Sequence, residues 1–264
     1  MKKSKTLGYY DRYSIAGLFY FFWKAVSGKE KLRKRSMLNR FRDYQGLNDQ
    51  GDLLALHRQI NGLLEKAASE WNSYDYGEGY FYQSFQKVGI SGLRITEQRV
   101  RAMNLAQRLK NRRVLEIGCN TGFVALSVAD TVENISGFDI NPCLVQIGQA
   151  VAEYLKISNV SLLTSSFEAF QPDRKYDVVL SFANHDTYDG NTKQSLQDYF
   201  LKCRNVLKTN GLLLFESHPP QLEGDGFKNV CTIINEFFIV QEKKVLSYGT
   251  FLDRGRTFIV GVRK

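Results

Sequence analysis

The sequence predicts an α/β fold, a mostly parallel seven-stranded sheet with helices on both faces, preceded by a helical cap and a basic extension. Three observations predict it. From residue 112 onward, short apolar runs of strand length alternate with longer runs of helical periodicity, the pattern of a parallel sheet covered on both sides. One apolar run, Val114–Ile117, carries Glu116 and enters the turn Gly118-Cys119-Asn120-Thr121-Gly122 ahead of a helix-compatible stretch. That strand, tight turn and helix let a backbone approach a nucleotide closely. Finally, acids and small polar residues follow the carboxyl ends of four strands, where open sheets bind ligands.

Residues 1–46 form the basic extension. They hold 12 Lys+Arg against 3 Asp+Glu, and the rest of the chain balances at 24 against 24. The net charge of +9 therefore belongs to this segment and not to the main domain. On a helix, Ile15, Leu18, Phe19, Phe22, Trp23 and Val26 share one face, beside Lys29–Arg35. The run is about half of the ~20 residues needed to span a bilayer, so no transmembrane helix is expected. Aromatics beside cations suit peripheral contact with an anionic membrane. The same residues also suit a helix packed on the main domain with a solvated charge run, or an arm on RNA.

Residues 47–111 read as a helical cap or lid. Leu53, Leu54, Leu56, Ile60, Leu63 and Leu64 have helical spacing over about 50–70, which gives His57 a structural role. Trp71, Tyr74, Tyr76, Tyr80, Phe81 and Tyr82 follow, interleaved with Gly77 and Gly79. This stretch fits a mobile lid or substrate wall, and equally a loop anchored by its rings. Thr96 is expected to cap a helix running to about Lys110. Arg94 and Arg99, just ahead of the nucleotide strand, can grip a ligand carboxylate by paired hydrogen bonds.

Residues 112–264 make the main domain. Strands are expected at 113–117, 135–138, 160–163, 176–181, 211–216, 237–243 and 256–262, the last two paired antiparallel. Helices are expected at 121–131, 144–155, 192–207 and within 223–235. Asp139 ends the second strand at the right distance from Gly118 to accept hydrogen bonds from both ribose hydroxyls, with Ile140 next to it. Ser166 and Phe167 follow strand three, placed for an adenine edge. Ser181 begins the run after strand four, Ser181-Phe182-Ala183-Asn184-His185-Asp186. Pro219-Pro220 and Gly224-x-Gly226 suggest a shaped loop over the acceptor pocket. The four cysteines, Cys119, Cys143, Cys203 and Cys231, lie far apart in sequence, which favours free thiols in a reducing, cytoplasmic compartment.

Over about residues 82–264 the chain resembles class I S-adenosylmethionine-dependent methyltransferases. The family's first motif, an acid then glycine-x-glycine-x-glycine, is matched by Glu116, Gly118 and Gly122, with Asn120 in the place of the middle glycine. The resemblance implies a Rossmann-like seven-stranded sheet, S-adenosyl-L-methionine as cofactor, and Asp139 as the ribose acid. It also implies that Tyr82-Gln83 and Arg94 or Arg99 hold the methionine end of the cofactor. Within the family, the G-x-R-x-T-E-x-R run and the Gly-Cys-Asn-x-Gly turn look most like methyltransferases of cell-surface glycans and of the transfer-RNA wobble uridine. A nicotinamide-binding G-x-G-x-x-G is disfavoured, because Phe123 stands at its third glycine.

A sulfonium methyl is already activated, so alignment supplies most of the acceleration. An oxygen acceptor also benefits from a base. His185, after strand four, is the first choice and His218, after strand five, the second. Asp186, Asp189 and Glu216 have oxygen-ligand chemistry but no specifying spacing, so no metal is expected. The reading is methyl transfer to a hydroxyl of a glycan or lipid-linked saccharide, giving polysaccharide modification. Its rivals are RNA methylation and a non-catalytic cofactor-binding scaffold.

Overall fold

The computed structural model describes residues 29–47, 51–71, 75–187, 191–218, 226–248 and 255–264. The apolar face over Ile15–Val26, the Pro219-Pro220 loop and Asp189 lie outside them. Elements follow in the order α1 (Lys29–Gln45), α2 (Gly51–Glu70), α3 (Thr96–Ala102), α4 (Leu105–Arg108), β1 (Arg113–Ile117), α5 (Phe123–Ser127), β2 (Asn134–Asp139) and α6 (Pro142–Tyr154). They continue with β3 (Val160–Thr164), β4 (Tyr176–Phe182), α7 (Leu196–Val206), β5 (Leu207–Glu216), α8 (Gly226–Phe237), β6 (Phe238–Leu246) and β7 (Arg256–Arg263).

The seven strands form one sheet in the order β3-β2-β1-β4-β5-β7-β6. β1 to β5 are parallel, and β7 joins antiparallel to both β5 and β6. The strand order reverses between β1 and β4, and their carboxyl ends open a crevice there. Val114, Val178, Leu180 and Leu214 pack on one face with Met103, Leu105, Val124 and Val128. On the other, Leu115, Val179, Leu213 and Phe215 pack with Tyr199, Phe200, Cys203 and Ile234 from α7 and α8. Alternation of side chains along each central strand feeds both layers, which is why these strands read as continuous apolar runs.

Four boundaries differ from expectation. The helix after β1 spans Phe123–Ser127 and not 121–131; beyond it the chain turns, with Asn159 Nδ2 donating to Ala129 O (2.9 Å). α7 starts at Leu196, because the Ser195 hydroxyl accepts from Asp198 N–H (3.0 Å) and caps it there. β5 starts at Leu207, opposite Tyr176, four residues early. Thr96 is not a cap: Ile95 holds that position without a side-chain bond, and the helix breaks at Asn104, which is left-handed (φ 52°).

The cap is anchored by its rings. Tyr80, Phe81 and Phe85 are buried against Phe123, with Phe85 stacked on it at 5.2 Å. His57 is structural, its Nε2 2.6 Å from Val88 O. α1 docks on the segment 77–92 through polar side chains: Ser36 Oγ donates to Gly77 O (2.6 Å), and Asp43 accepts from Tyr80 Oη (2.8 Å) and Ser91 N–H (2.7 Å). Among the described residues no helix is long and apolar enough to cross a membrane.

Candidate active site

The turn after β1 supplies the floor of the site. Gly118, Asn120 and Gly122 all take left-handed backbone, with φ of 61°, 56° and 70°. Asparagine tolerates that region better than other side-chain-bearing residues, which accounts for Asn120 where the motif has glycine. A Cβ on Gly118 would lie 3.1 Å from Asn184 Nδ2, and one on Gly122 only 2.7 Å from Leu162 Cδ1. Gly122 thus serves packing: it is absent from the cleft wall, contrary to the expected cofactor contact.

Asp139, at the end of β2, accepts Asn120 N–H at Oδ2 (2.8 Å) and Asn141 N–H at Oδ1 (3.0 Å). These bonds fix the carboxylate in the cleft wall. Asn141 caps α6, its Oδ1 accepting from Cys143 N–H (3.0 Å), with Pro142 in the first turn. The cleft takes in about 1130 Å³ of non-atom space, part of it open solvent. Of the expected residues, Tyr82, Gln83, Arg94, Arg99, Glu116, Gly118, Asn120, Asp139, Ile140, Ser166 and Phe167 line it.

Ser181 does not. It is fully buried, and its hydroxyl lies 3.0 Å from Asn184 Oδ1 and 2.9 Å from Tyr199 Oη. Its role is to hold Asn184, whose Nδ2 donates to Ile117 O and whose side chain stands in the cleft beside Gly118. Asn184 belongs to the run expected after strand four, but the left-handed turn at Ala183 (φ 58°) that aims it into the wall leaves no compositional signal. Tyr76, from the aromatic stretch, also lines the wall, and Thr187, Asn191, Thr192 and Gln194 join it unforeseen.

The cap side is built on Glu216, the last residue of β5 and fully buried. Arg99 Nη2 donates to its Oε2 (2.6 Å), Arg94 Nη2 to Oε1 (3.3 Å) and Tyr248 Oη to Oε1 (3.0 Å); Arg256 Nη1 lies 4.0 Å away. Burial alone would raise the Glu216 pKa, but Arg99, Arg94 and Arg256 outweigh it and bring it down to about 2. Glu216 is therefore an arginine anchor, unavailable as a metal ligand. Glu116 goes the other way: burial pushes its carboxyl up to about 8 against the pull of Arg99.

The histidines stand behind the wall. His185 is 3% exposed, with its ring 5.0 Å from Phe215 and 4.9 Å from His218. His218 is half-buried, its Nε2 2.5 Å from Asp186 O. Burial, then the neighbouring His185, lowers its pKa to about 3. Neither ring lines the cleft, contrary to expectation, because β4 and β5 end with these side chains turned toward each other and Phe215.

A family model described as a methyltransferase domain matches residues 108–248, more than half of the chain. The chain belongs to this methyltransferase family. The solved N-methyltransferase NodS of Bradyrhizobium japonicum, in complex with S-adenosyl-L-homocysteine, has the same fold: TM-score 0.54 at 15% identity, covering 78% of this chain and 98% of that one. Among curated relatives, ribosomal RNA small subunit methyltransferase G of Shewanella denitrificans is 25% identical over 152 residues, 55% of this chain and 69% of the relative. A protein of Methanocaldococcus jannaschii named for N5-glutamine methylation is 30% identical over 125 residues, 40% of this chain. The chain spans 42% and 61% of the length of two of the relatives it matches.

The fold is that of class I, S-adenosylmethionine-dependent methyltransferases, and the cleft residues fit that cofactor. Asp139 presents a carboxylate already fixed by two backbone amides. Gly118 leaves a bare backbone at the crevice. Gln83 is buried in the wall with Oε1 lacking a hydrogen-bond partner among the described residues, an acceptor suited to an ammonium group.

Proposed function

We propose that the methyltransferase transfers the methyl group of S-adenosylmethionine to a hydroxyl of a glycan or lipid-linked saccharide in the cytoplasm. The observation that carries this reading is the wall that follows β4. Asn184, Thr187, Asn191, Thr192 and Gln194 line it with neutral amides and hydroxyls, and Tyr76 and Tyr82 stand opposite with their rings 5.8 Å apart. Such a surface suits hydroxyl-rich, uncharged acceptors. A nucleic-acid track would want free cations. The described lining holds no lysine, and both its arginines bond Glu216.

The cofactor, when bound, supplies an electrophilic methyl. The chain's own residues bind and align. Asp139 accepts the ribose hydroxyls, Gln83 and Glu116 face the methionine end, and Ser166 and Phe167 border the adenine. Arg94 and Arg99, held by Glu216, present guanidinium edges to a carboxylate. A hydroxyl that has gained a methyl is a strong acid and gives up its proton readily. His185 is assigned the taking of that proton; its ring stands behind the wall, so this role requires the segment after β4 to shift when the acceptor binds.

The test is transfer of labelled methyl from S-adenosylmethionine to lipid-glycan, RNA, protein and small-molecule fractions of host cells lacking the protein. Label in the glycan fraction is expected. Label in RNA overturns the hydroxyl-glycan reading. His185→Asn should lose turnover by about 10²-fold or more while keeping S-adenosylhomocysteine affinity; unchanged turnover removes His185 from the mechanism.

A further inference from the structure

The first described helix is inside out. α1 turns a polar face to the protein: Ser36, Asn39 and Asp43 are buried and bonded to Gly77 O, Gly92 O and the Tyr80 hydroxyl with Ser91. Its apolar residues face outward. Met37, Leu38 and Phe41 are 65%, 62% and 63% exposed, and at helical spacing they form one stripe. Lys31, Arg33, Lys34 and Arg42 are exposed around that stripe. Single exposed apolar residues are ordinary, but three in register on a helix whose buried face is polar are not.

We propose that α1 docks the methyltransferase on an anionic lipid surface, with Met37, Leu38 and Phe41 in the acyl boundary and the surrounding cations on the headgroups. Charge selects this occupant. A second copy of the chain would bring the same cations against this one. RNA would pair the cations but leave the apolar stripe in water. An anionic bilayer satisfies both parts of the face at once. The contact reaches the cleft through few bonds, because Asp43 holds Tyr80 and Ser91 on either side of Tyr82-Gln83. Docking would thus hold the cleft mouth at the surface where a lipid-linked acceptor lies. The docking itself does not depend on the acceptor, and its test omits one.

The experiment is co-sedimentation of the full chain with vesicles of phosphatidylcholine alone and of phosphatidylcholine and phosphatidylglycerol in equal parts. Binding is expected only with phosphatidylglycerol. The combined variant Met37→Ser, Leu38→Ser, Phe41→Ser should lose roughly tenfold or more in partitioning. Arg33→Glu with Lys34→Glu should lose on the order of tenfold and its preference for the anionic vesicles. Both variants keep residues 1–28, so any loss belongs to α1. Retained S-adenosylhomocysteine affinity and far-ultraviolet dichroism would show that they fold. Equal partitioning of the apolar variant and the parent overturns the proposal. So does equal binding to both vesicles, or concentration-dependent dimerisation that the apolar variant abolishes. Salt-sensitive RNA binding without vesicle binding would also overturn it and move α1 to nucleic acid.

Discussion

The two walls of the cleft are made in opposite ways. The wall along β1 and β2 is local: a glycine turn, an acid one strand over, and two backbone N–H groups that hold its carboxylate. The cap-side wall is assembled from three distant parts of the chain, with Arg94, Arg99, Tyr248 and Arg256 converging on Glu216. The local wall is fixed by the geometry of a few peptide units. The converging wall exists only when the whole domain is folded, and so its ion cluster ties cap, β5 and β7 to the state that binds the cofactor. Disturbing the first should therefore cost affinity, and disturbing the second should cost stability.

The largest effect is expected from Glu216→Gln. It leaves three arginines buried without their counter-ion and should lower unfolding free energy by about 3–5 kcal/mol, read from the urea midpoint. A loss below about 1 kcal/mol would mean that the cluster behaves like a surface pair and that the contrast between the walls is false. Next, Asp139→Ala should weaken S-adenosylhomocysteine binding by on the order of 10²-fold, from two lost hydrogen bonds to a charged acceptor at about 1.5 kcal/mol each. Its urea midpoint should move far less than that of Glu216→Gln; calorimetric titration beside denaturation separates the two.

The two buried glutamates sharpen the comparison through pH. Glu216 has its folded pKa depressed to about 2 from 4.5, so its contribution is present above about pH 4.5 and lost as pH falls through 2. Glu116 has its folded pKa raised to about 8 from 4.5; the contribution of its protonated form is full below pH 4.5 and is lost as pH rises through 8. Glu116→Gln should therefore flatten the fall in stability between about pH 4.5 and 8 and leave the limb below pH 4.5 as it was. An unchanged slope between pH 4.5 and 8 would remove Glu116 from that account. The smallest effect belongs to Ala183, which holds left-handed backbone (φ 58°) to aim Asn184. Ala183→Gly should gain roughly 0.5–1 kcal/mol, visible as a slightly higher urea midpoint.

Much of this was legible in advance because it is short-range. Alternating apolar runs announced the sheet, and the Gly118–Gly122 turn with Asp139 announced the nucleotide wall. The first helix was overrun because Ala129 and Val132 continue an apolar pattern that Asn159 caps from afar. Thr96 looked like a cap from composition alone, whereas its N–H is met by Ser84 Oγ (3.0 Å).

The sequence by itself determined the raw material of the sheet and the glycine turn with Asp139 one strand over, because periodicity and turn chemistry act over a few residues; its motifs carried the resemblance to the family. Only the tertiary structure decided that Glu216 anchors arginines instead of facing a ligand, and that Ser181 props Asn184. It also decided that His185 lies behind the wall and that α1 wears its apolar side outward. Those outcomes depend on which groups meet across gaps of tens of residues, and on desolvation, which no single residue carries in its name.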